Sequence, residues 1–542
     1  LVALLATVVI LGSAHLGPYD SPELDPRPAL LPIYLLRSLA RLAVAYAFAV
    51  GLALVTGHLA ARSRLARRLI LPTLDVLQSV PILGFFPLAV NFFISLSGGS
   101  ALGVETAAVF LIFTSMFWNM AFGVYQSLIT VPDEISVAAE QLGVRGPLRW
   151  SRLILPAVLP TLIYNSMVSW ANGFYFLIAS EIIAVGPARY TLPGLGSYLA
   201  QAVSVGRNEQ ALLAIVVLGA TVVAMHLLVW GPLQIWAERF QLEEIGDHPR
   251  TPRIGRVLGR SRIVRAATNN VVVPMGQQAL VASGRLLDIA GRTSAWGAAV
   301  LLVALLAVAG EVAARVYLLF SERTMSREIA GLPVDVLLSM ARVCIGIAIS
   351  AALAIPLAYA ISRSRRARRI SVPVIQMLAS VPATAFFPMI VVLLQRGLGM
   401  NAAAVLLALT TMFWYVLFNV LRGALAIPKE LSEAAKAVGL RGARLLRRLF
   451  VPAVLPSLVT GCVTAWGAGW NAMILCEYLE AGGRRYSVRG IGATLDHATY
   501  VTGDMQVIVA SLVVMVLLII TVNRVFWDPV YQRVAARYKM EI

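Results

Sequence analysis

The stretch "SEAAKAVGLRGARLLRRLFVPAVLP", residues 432–456, carries five arginine or lysine residues inside a chain that is 59% hydrophobic. An earlier stretch, "SVAAEQLGVRGPLRWSRLILPAVLP", residues 136–160, matches it without gaps at 13 of 25 positions. A polar segment that occurs twice in so apolar a chain points to a duplicated membrane protein. Each copy holds the segment at the same place. The flanking sequence repeats on the same plan. "RSRLARRLILPTLDVLQSVPILGFFP" at 62–87 returns as "RSRRARRISVPVIQMLASVPATAFFP" at 363–388, an offset of 301. "TSMFW" at 114–118 answers "TTMFW" at 410–414, an offset of 296, which the opening pair and the acids Glu181 and Glu477 also keep.

Only 13% of the 542 residues are charged, and the mean hydropathy is +0.80; soluble domains average about 25% charged. Apolar runs recur, for example 211–228, 298–309 and 507–522. Stretches of about 18 or more such residues read as membrane spans. A soluble enzyme is excluded. The net charge of +18 does not imply nucleic acid, because the arginines flank apolar runs and so mark cytoplasmic loops. Cys344, Cys462 and Cys476 sit in apolar segments without CxxC spacing, which argues against a disulfide framework or a metal site. The opening "LVALLATVVILGSAHLG" reads as a first span whose cytoplasmic start precedes the numbered chain, not as a signal peptide.

Each half reads as six spans. In the first they fall near 1–16, 40–60, 69–97, 102–127, 158–184 and 210–236; in the second near 295–316, 341–361, 370–395, 401–425, 454–479 and 506–524. The expected fold is an all-α polytopic membrane protein of about 12 spans. Its two six-helix halves are parallel repeats about an axis along the membrane normal. Residues 1–236 and 294–542 are the two domains, and the polar, Arg-rich stretch 237–293 is a cytoplasmic linker. The arginine runs at 62–68 and 363–369 place the loops between spans 2 and 3 in the cytoplasm. Alternation then puts both copies of the opening segment there, and both termini too.

Within each copy a proline, Pro132 or Pro428, precedes a short helix. Proline suits the first helical turn, and Asp133, Glu134 and Glu430 complement the helix dipole. The alanine pairs Ala138–Ala139 and Ala434–Ala435 leave one face with little bulk. Gly143 and Gly439 are placed to end the helix. The chain then passes Arg145 or Arg441 and reaches Pro156 or Pro452, where span 5 begins. The result is a smooth-faced cytoplasmic helix tied to a membrane span, suited to a groove on a cytoplasmic partner.

The segment resembles the EAA motif of ABC importer permeases: Glu-Ala-Ala, three residues, Gly, nine residues, then Ile-x-Leu-Pro. The second half gives Glu433-Ala434-Ala435, Gly439 and Pro452 at that spacing; the first gives Val137-Ala138-Ala139, Gly143 and Pro156. The motif's glutamate is therefore missing from the first half. "SVPILGFFP", "SVPATAFFP", "PGLG" at 193–196 and "RGIG" at 489–492 resemble the nitrate/sulfonate/taurine/bicarbonate branch, here as two permease domains fused in one chain. The resemblance implies type I permease domains, with coupling segments at 132–156 and 428–452. It implies two separate ATP-binding subunits that carry ATP and Mg, since no GxxxxGK[ST] loop occurs in this sequence and this chain is expected to bind no cofactor. It also implies a periplasmic or lipid-anchored solute-binding protein, and the cytoplasmic membrane of a bacterium or archaeon. The expected cargo is a small polar, anionic solute.

Helix rise places Trp170 and Trp466 about 15 Å into the bilayer on span 5. Asn172 and Tyr175 lie beside the first, and Asn471 beside the second. Indole, amide and hydroxyl donors can replace a solute's water without a full charge, so these five are the candidate pathway. Small residues at the same level, such as Ser169–Gly173 and Ala465–Gly469, equally suit close helix packing. Glu181 and Glu477 fall about 32 Å in, at the outer interface, where they can reach headgroups, form a gate ion pair or touch a binding protein. A secondary transporter with fused repeats is the alternative, but its coupling acids or histidines would have to be the single Asp75 and His226. No filter-like motif suggests a channel. No paired acid/base cluster or metal spacing suggests an enzyme.

Overall fold

A computed structural model describes residues 27–237 and 327–538 apart from short gaps, with isolated positions between them. Residues 1–26, 241–309 and 539–542, and most of 311–326 and 365–395, lie outside that description. The expected first span of each half, most of the third span of the second half and nearly all of the linker fall there.

The first half contains α1 (Leu31–Arg62), α2 (Arg64–Ser79), α3 (Ile82–Leu96), α4 (Ala101–Ile129), the short α5 (Asp133–Gln141), α6 (Leu155–Glu181), a hairpin of β1 (Ile182–Val185) and β2 (Ala188–Thr191), α7 (Leu195–Ser204) and α8 (Asn208–Met225). The second repeats it: α9 (Leu332–Ser362), α10 (Met400–Leu425), the short α11 (Lys429–Ala437), α12 (Val451–Cys476), β3 (Tyr478–Ala481) with β4 (Arg484–Ser487), α13 (Ile491–His497), α14 (Met505–Val522) and α15 (Asp528–Tyr538). Among the described residues, eight helices are long and apolar enough to cross a membrane. The protein is an all-α polytopic membrane protein with one small antiparallel hairpin added to each half.

Small residues let the long helices approach closely. On α1, Ala40, Ala45, Ala49, Ala53 and Ala60 have no exposure, and a side chain on Gly57 would press into Val124 of α4. A methyl group on Gly173 of α6 would overlap Met116, and one on Gly469 of α12 would crowd Met412 at 3.0 Å. These are equivalent pairs at the 296 offset, so the small-residue spacing on span 5 serves packing.

Span 3 of the first half departs from expectation. The sequence suggests one kinked helix over 69–97; the chain instead forms two helices broken at Pro81, whose backbone is extended (φ −61°, ψ 119°). After the break, α3 packs on α4 of its own half and also reaches across to the second half. A side chain on Gly84 would meet Leu512 and Met515 of α14 and Ile474 of α12. Ile82, Phe86 and Val90 share one continuous apolar core with the second half.

Each span 5 is entered through a π-helical turn, Trp150–Ile154 and Leu446–Phe450. Pro156 and Pro452 follow, and proline offers no N–H to the carbonyl four residues back, so the helix widens by one residue there.

Candidate functional site

At the Arg-rich end of each half, α5 and α11 protrude. Both end as expected. Gly143 (φ 75°) and Gly439 (φ 79°) adopt left-handed backbone, and Val144 N–H bonds Ala139 O at 2.9 Å, as Leu440 N–H bonds Ala435 O at 3.0 Å. This Schellman-type closure satisfies the last carbonyls. Ala138, Ala434, Glu433 and Arg441 are exposed, Ala139 is half-buried and Ala435 is buried. Arg145 lies outside the described residues. The sequence reading missed Leu142 and Val438, equivalent residues at the tips of the two helices, which are 82% and 77% exposed. Large aliphatic side chains so exposed on polar helices suit a protein partner.

The two halves meet through polar contacts near the middle of α6, α10 and α12. The Tyr415 hydroxyl donates to Asn172 Oδ1 at 2.9 Å. Tyr175 lies beside Tyr415 and Cys476, and packs against the second-half core. Asn471 Oδ1 accepts the Ile82 N–H at 2.6 Å, a donor freed by the break at Pro81. Nearer the Arg-rich end, Arg422 donates to the Tyr164 hydroxyl at 2.7 Å, also between halves. Asn172, Tyr175 and Asn471 of the expected pathway thus stand at the junction of the halves.

Trp170 and Trp466 stand elsewhere. Trp170 packs edge-on against Tyr46, Phe174 and Trp230 of its own half; Trp466 packs edge-on against Trp470 and at a tilt against Trp527. Helix rise gives depth but not rotation about the helix axis: these ring contacts lie within each tryptophan's own half, and neither buried indole N–H has a hydrogen-bond partner among the described residues. Tyr415 and Arg422 were overlooked. The visible signal was a polar residue within span 4 that its repeat partner, Asn119 or Gln126, does not duplicate.

The acids Glu181 and Glu477 do not reach headgroups, and neither side chain is presented to a docking protein: both are fully buried. Glu181 accepts from Ser38 Oγ and from Arg41 Nη1 at 2.9 Å, and its other oxygen takes the Gly196 N–H at 2.6 Å. Glu477 accepts from Ser339 Oγ and Arg342 Nη1, both at 2.6 Å, and from the Gly492 N–H at 2.8 Å. Ser38 Oγ in turn receives the Leu195 N–H, and Ser339 Oγ the Ile491 N–H. Each acid therefore ties span 2, the end of span 5 and the start of α7 or α13 into one knot. A side chain on Gly194 or Gly490 would run into the corresponding carboxylate, which explains the "PGLG" and "RGIG" glycines.

The knots differ in charge. Arg41 also makes a fork to Glu105 through Nε (2.6 Å) and Nη2 (2.7 Å). The equivalent partner of Arg342 is neutral: Asn401 Oδ1 accepts from its Nε at 3.0 Å and its Nη2 at 2.8 Å. In the second half Arg489 adds an outer pair with Asp335 at 2.7 Å, and Thr494 donates to the same acid at 2.9 Å; at the positions of Asp335 and Thr494 the first half has Tyr34 and Tyr198, with ring centroids 6.0 Å apart. Ser38, Arg41, Ser339 and Arg342 escaped the sequence reading, although an arginine inside an apolar run, repeated at offset 301, was there to be seen.

Comparison with known proteins matches residues 49–231 and again 345–535 to the family described as "Binding-protein-dependent transport system inner membrane component". A Methanocaldococcus jannaschii protein named as an ABC transporter permease is 27% identical over 190 residues, 35% of this chain and 68% of the relative. The nitrate import permease protein of Synechococcus elongatus is 28% identical over 174 residues, 32% of this chain and 59% of the relative. The bicarbonate transport system permease protein of the same organism is 27% identical over 144 residues, 27% of this chain and 51% of the relative. The matched segment thus spans between about half and two thirds of each of these relatives.

Proposed function

The chain belongs to the family of binding-protein-dependent transport system inner membrane components, and on that premise we propose that it forms the whole translocation pathway of an ATP-driven importer. Residues 1–236 and 294–542 act as two permease domains joined by the 237–293 tether. Separate ATP-binding subunits, one on each half, dock on α5 and α11. Their closure on ATP rocks the halves between inward- and outward-facing forms, and a solute-binding protein delivers cargo on the opposite side.

One observation carries this reading: two equivalent exposed helices, each closed by a left-handed glycine and joined to span 5 through a π-helical turn. A push on such a helix is passed toward the span through the turn at the glycine, which a backbone hydrogen bond closes. Hydrolysis belongs to the partners, and this chain acts as a transport subunit rather than an enzyme.

The proposed cargo is a small anion of the nitrate, bicarbonate or sulfonate type. The groups at the middle of the junction are hydroxyls and amides, Asn172, Tyr175, Tyr415 and Asn471, with Arg422 between the halves nearer the Arg-rich end. The acids Glu181 and Glu477 are already engaged by Arg41 and Arg342, so they present no free negative charge to an anion. Reconstitution with the ATP-binding subunits and binding protein, followed by uptake assays with nitrate, bicarbonate, taurine and alkylsulfonates, tests this. Carriage of a cation or a peptide in place of all four would refute the anion reading, and ATP-independent uptake would refute the importer itself.

A further inference from the structure

We propose that the first half carries a binding site for a phosphate group beside its coupling helix, and that the second half has no such site. The observation is a cavity of about 300 Å³, lined by His58 and Arg62 at the end of α1, Leu128 at the end of α4, Ser136 on α5, and Arg149 and Trp150 before span 5. That volume is at the lower bound of known ligand pockets. Among the described residues its wall includes two arginines and a histidine and no carboxylate, although Glu140 stands behind Arg149.

Arg149 is divided between two tasks. Its Nη1 holds Glu140 of the coupling helix at 2.6 Å. Its Nε is shielded from solvent and has no hydrogen-bond partner among the described residues. A buried guanidinium N–H left unmet is costly, and an anionic oxygen in the cavity would meet it. The guanidinium's planar donors match phosphate geometry. The Trp150 ring, 5.0 Å from His58 between centroids, offers an apolar wall for whatever carries the phosphate.

The equivalent place in the second half is built differently. His58 is replaced by Tyr359, Ile154 by Phe450, and Arg149 by Leu445. The Tyr359 and Phe450 rings meet edge-on at 5.0 Å, and Arg363, the counterpart of Arg62, lies over the Tyr359 ring at 5.5 Å. The arginine at the Arg149 position is gone, the one at the Arg62 position is stacked on an aromatic face, and Arg444 and Arg447, which replace Leu148 and Ser151, are exposed.

The site lies where α1 ends in arginines, the level at which basic pockets between membrane helices meet phospholipid headgroups. A phosphate there would bridge α1, the coupling helix through Ser136, and the base of span 5 through Arg149. It would fix the first-half lever while leaving the second free. Two sources offer the same chemistry, an anionic lipid or free phosphate in solution.

The test uses the full chain purified in detergent with its ATP-binding subunits. Its thermal unfolding midpoint is followed on adding inorganic phosphate, phosphatidylglycerol or, as a neutral control, phosphatidylcholine; binding to the native state raises the midpoint. Inorganic phosphate should raise it if the source is the free anion, and phosphatidylglycerol alone if the source is lipid. Arg149→Leu, which installs the second half's residue, should weaken the response on the order of tenfold, equivalent to the loss of about one charge-assisted bond. His58→Tyr provides a second variant should the first not fold. The proposal is overturned if neither phosphate source stabilises the complex more than phosphatidylcholine does, or if both variants respond as the wild type. Since the readout is binding, it stands or falls independently of which solute is transported.

Discussion

The Tyr415 hydroxyl donates to the side-chain oxygen of Asn172 across the junction of the two halves, 2.9 Å away. This contact joins α10 to α6 on the pathway proposed between the halves. A neutral hydrogen bond contributes about 0.5–1.5 kcal/mol net, enough to bias a closed state without locking it. Tyr415→Phe and Asn172→Ala should therefore each loosen the junction, and the double variant should cost clearly less than the sum of the singles. A double-mutant cycle on thermal stability reads this; simple additivity would mean that the two groups do not act together.

A harsher outcome is expected at the buried acids. Glu477→Gln leaves Arg342 buried with only neutral acceptors, among them Asn401 Oδ1 and the Arg489 carbonyl, and breaking a buried pair costs about 3–5 kcal/mol. Glu105→Asn should be mild, because Arg41 keeps Glu181 and the first half simply takes on the second half's arrangement. Unfolding midpoints in detergent would rank the two; equal losses would contradict the roles drawn from the geometry.

At the coupling helices the glycine requirement is conformational rather than steric. A methyl group on Gly439 meets nothing within 4 Å, yet its φ is 79°. Left-handed backbone costs an ordinary residue roughly 1–2 kcal/mol, while asparagine tolerates it. Gly439→Val should then abolish substrate-stimulated ATP hydrolysis in inserted protein, and Gly439→Asn should retain most of it. The same loss in both would point to a contact made by the glycine itself.

Docking of the ATP-binding subunits should depend on Leu142 and Val438. Leu142→Asp or Val438→Asp is expected to weaken subunit capture with little change in the stability of the chain, since both side chains stand in solvent. The two halves should also differ. Glu433 offers a charge-assisted contact where the first half has Val137, worth of order 1–3 kcal/mol. Equivalent lesions that release both subunits equally, measured by pull-down of tagged partners, would remove the asymmetry.

Periodicity and repetition made the architecture legible, because both follow from apolar runs and aligned text. Helix ends at Gly143 and Gly439 were readable for the same reason: a left-handed cap leaves a glycine behind. Rotation about a helix axis was not readable. Trp170 and Asn172 are two residues apart, yet one turns into its own half and the other reaches Tyr415. Long-range partners were hidden too. Glu181 looked like a surface acid until Arg41, 140 residues earlier in the chain, came to lie against it. Pro81 announced a disturbance in span 3, but not that Asn471, 389 residues later, would take the freed N–H.

The uneven charge around the two buried arginines has a meaning in time. A chain made from its N-terminus presents Arg41 to the bilayer well before Glu181 exists. Glu105 follows Arg41 by only 64 residues, so the first arginine has a full counter-charge waiting on the next long helix. Arg342 must wait through 135 residues for Glu477, with Asn401 as its interim partner. By then the first half is complete and α3 already stands ready to receive α12 and α14. The earlier half carries its own chaperoning charge, and the later half assembles onto a finished template.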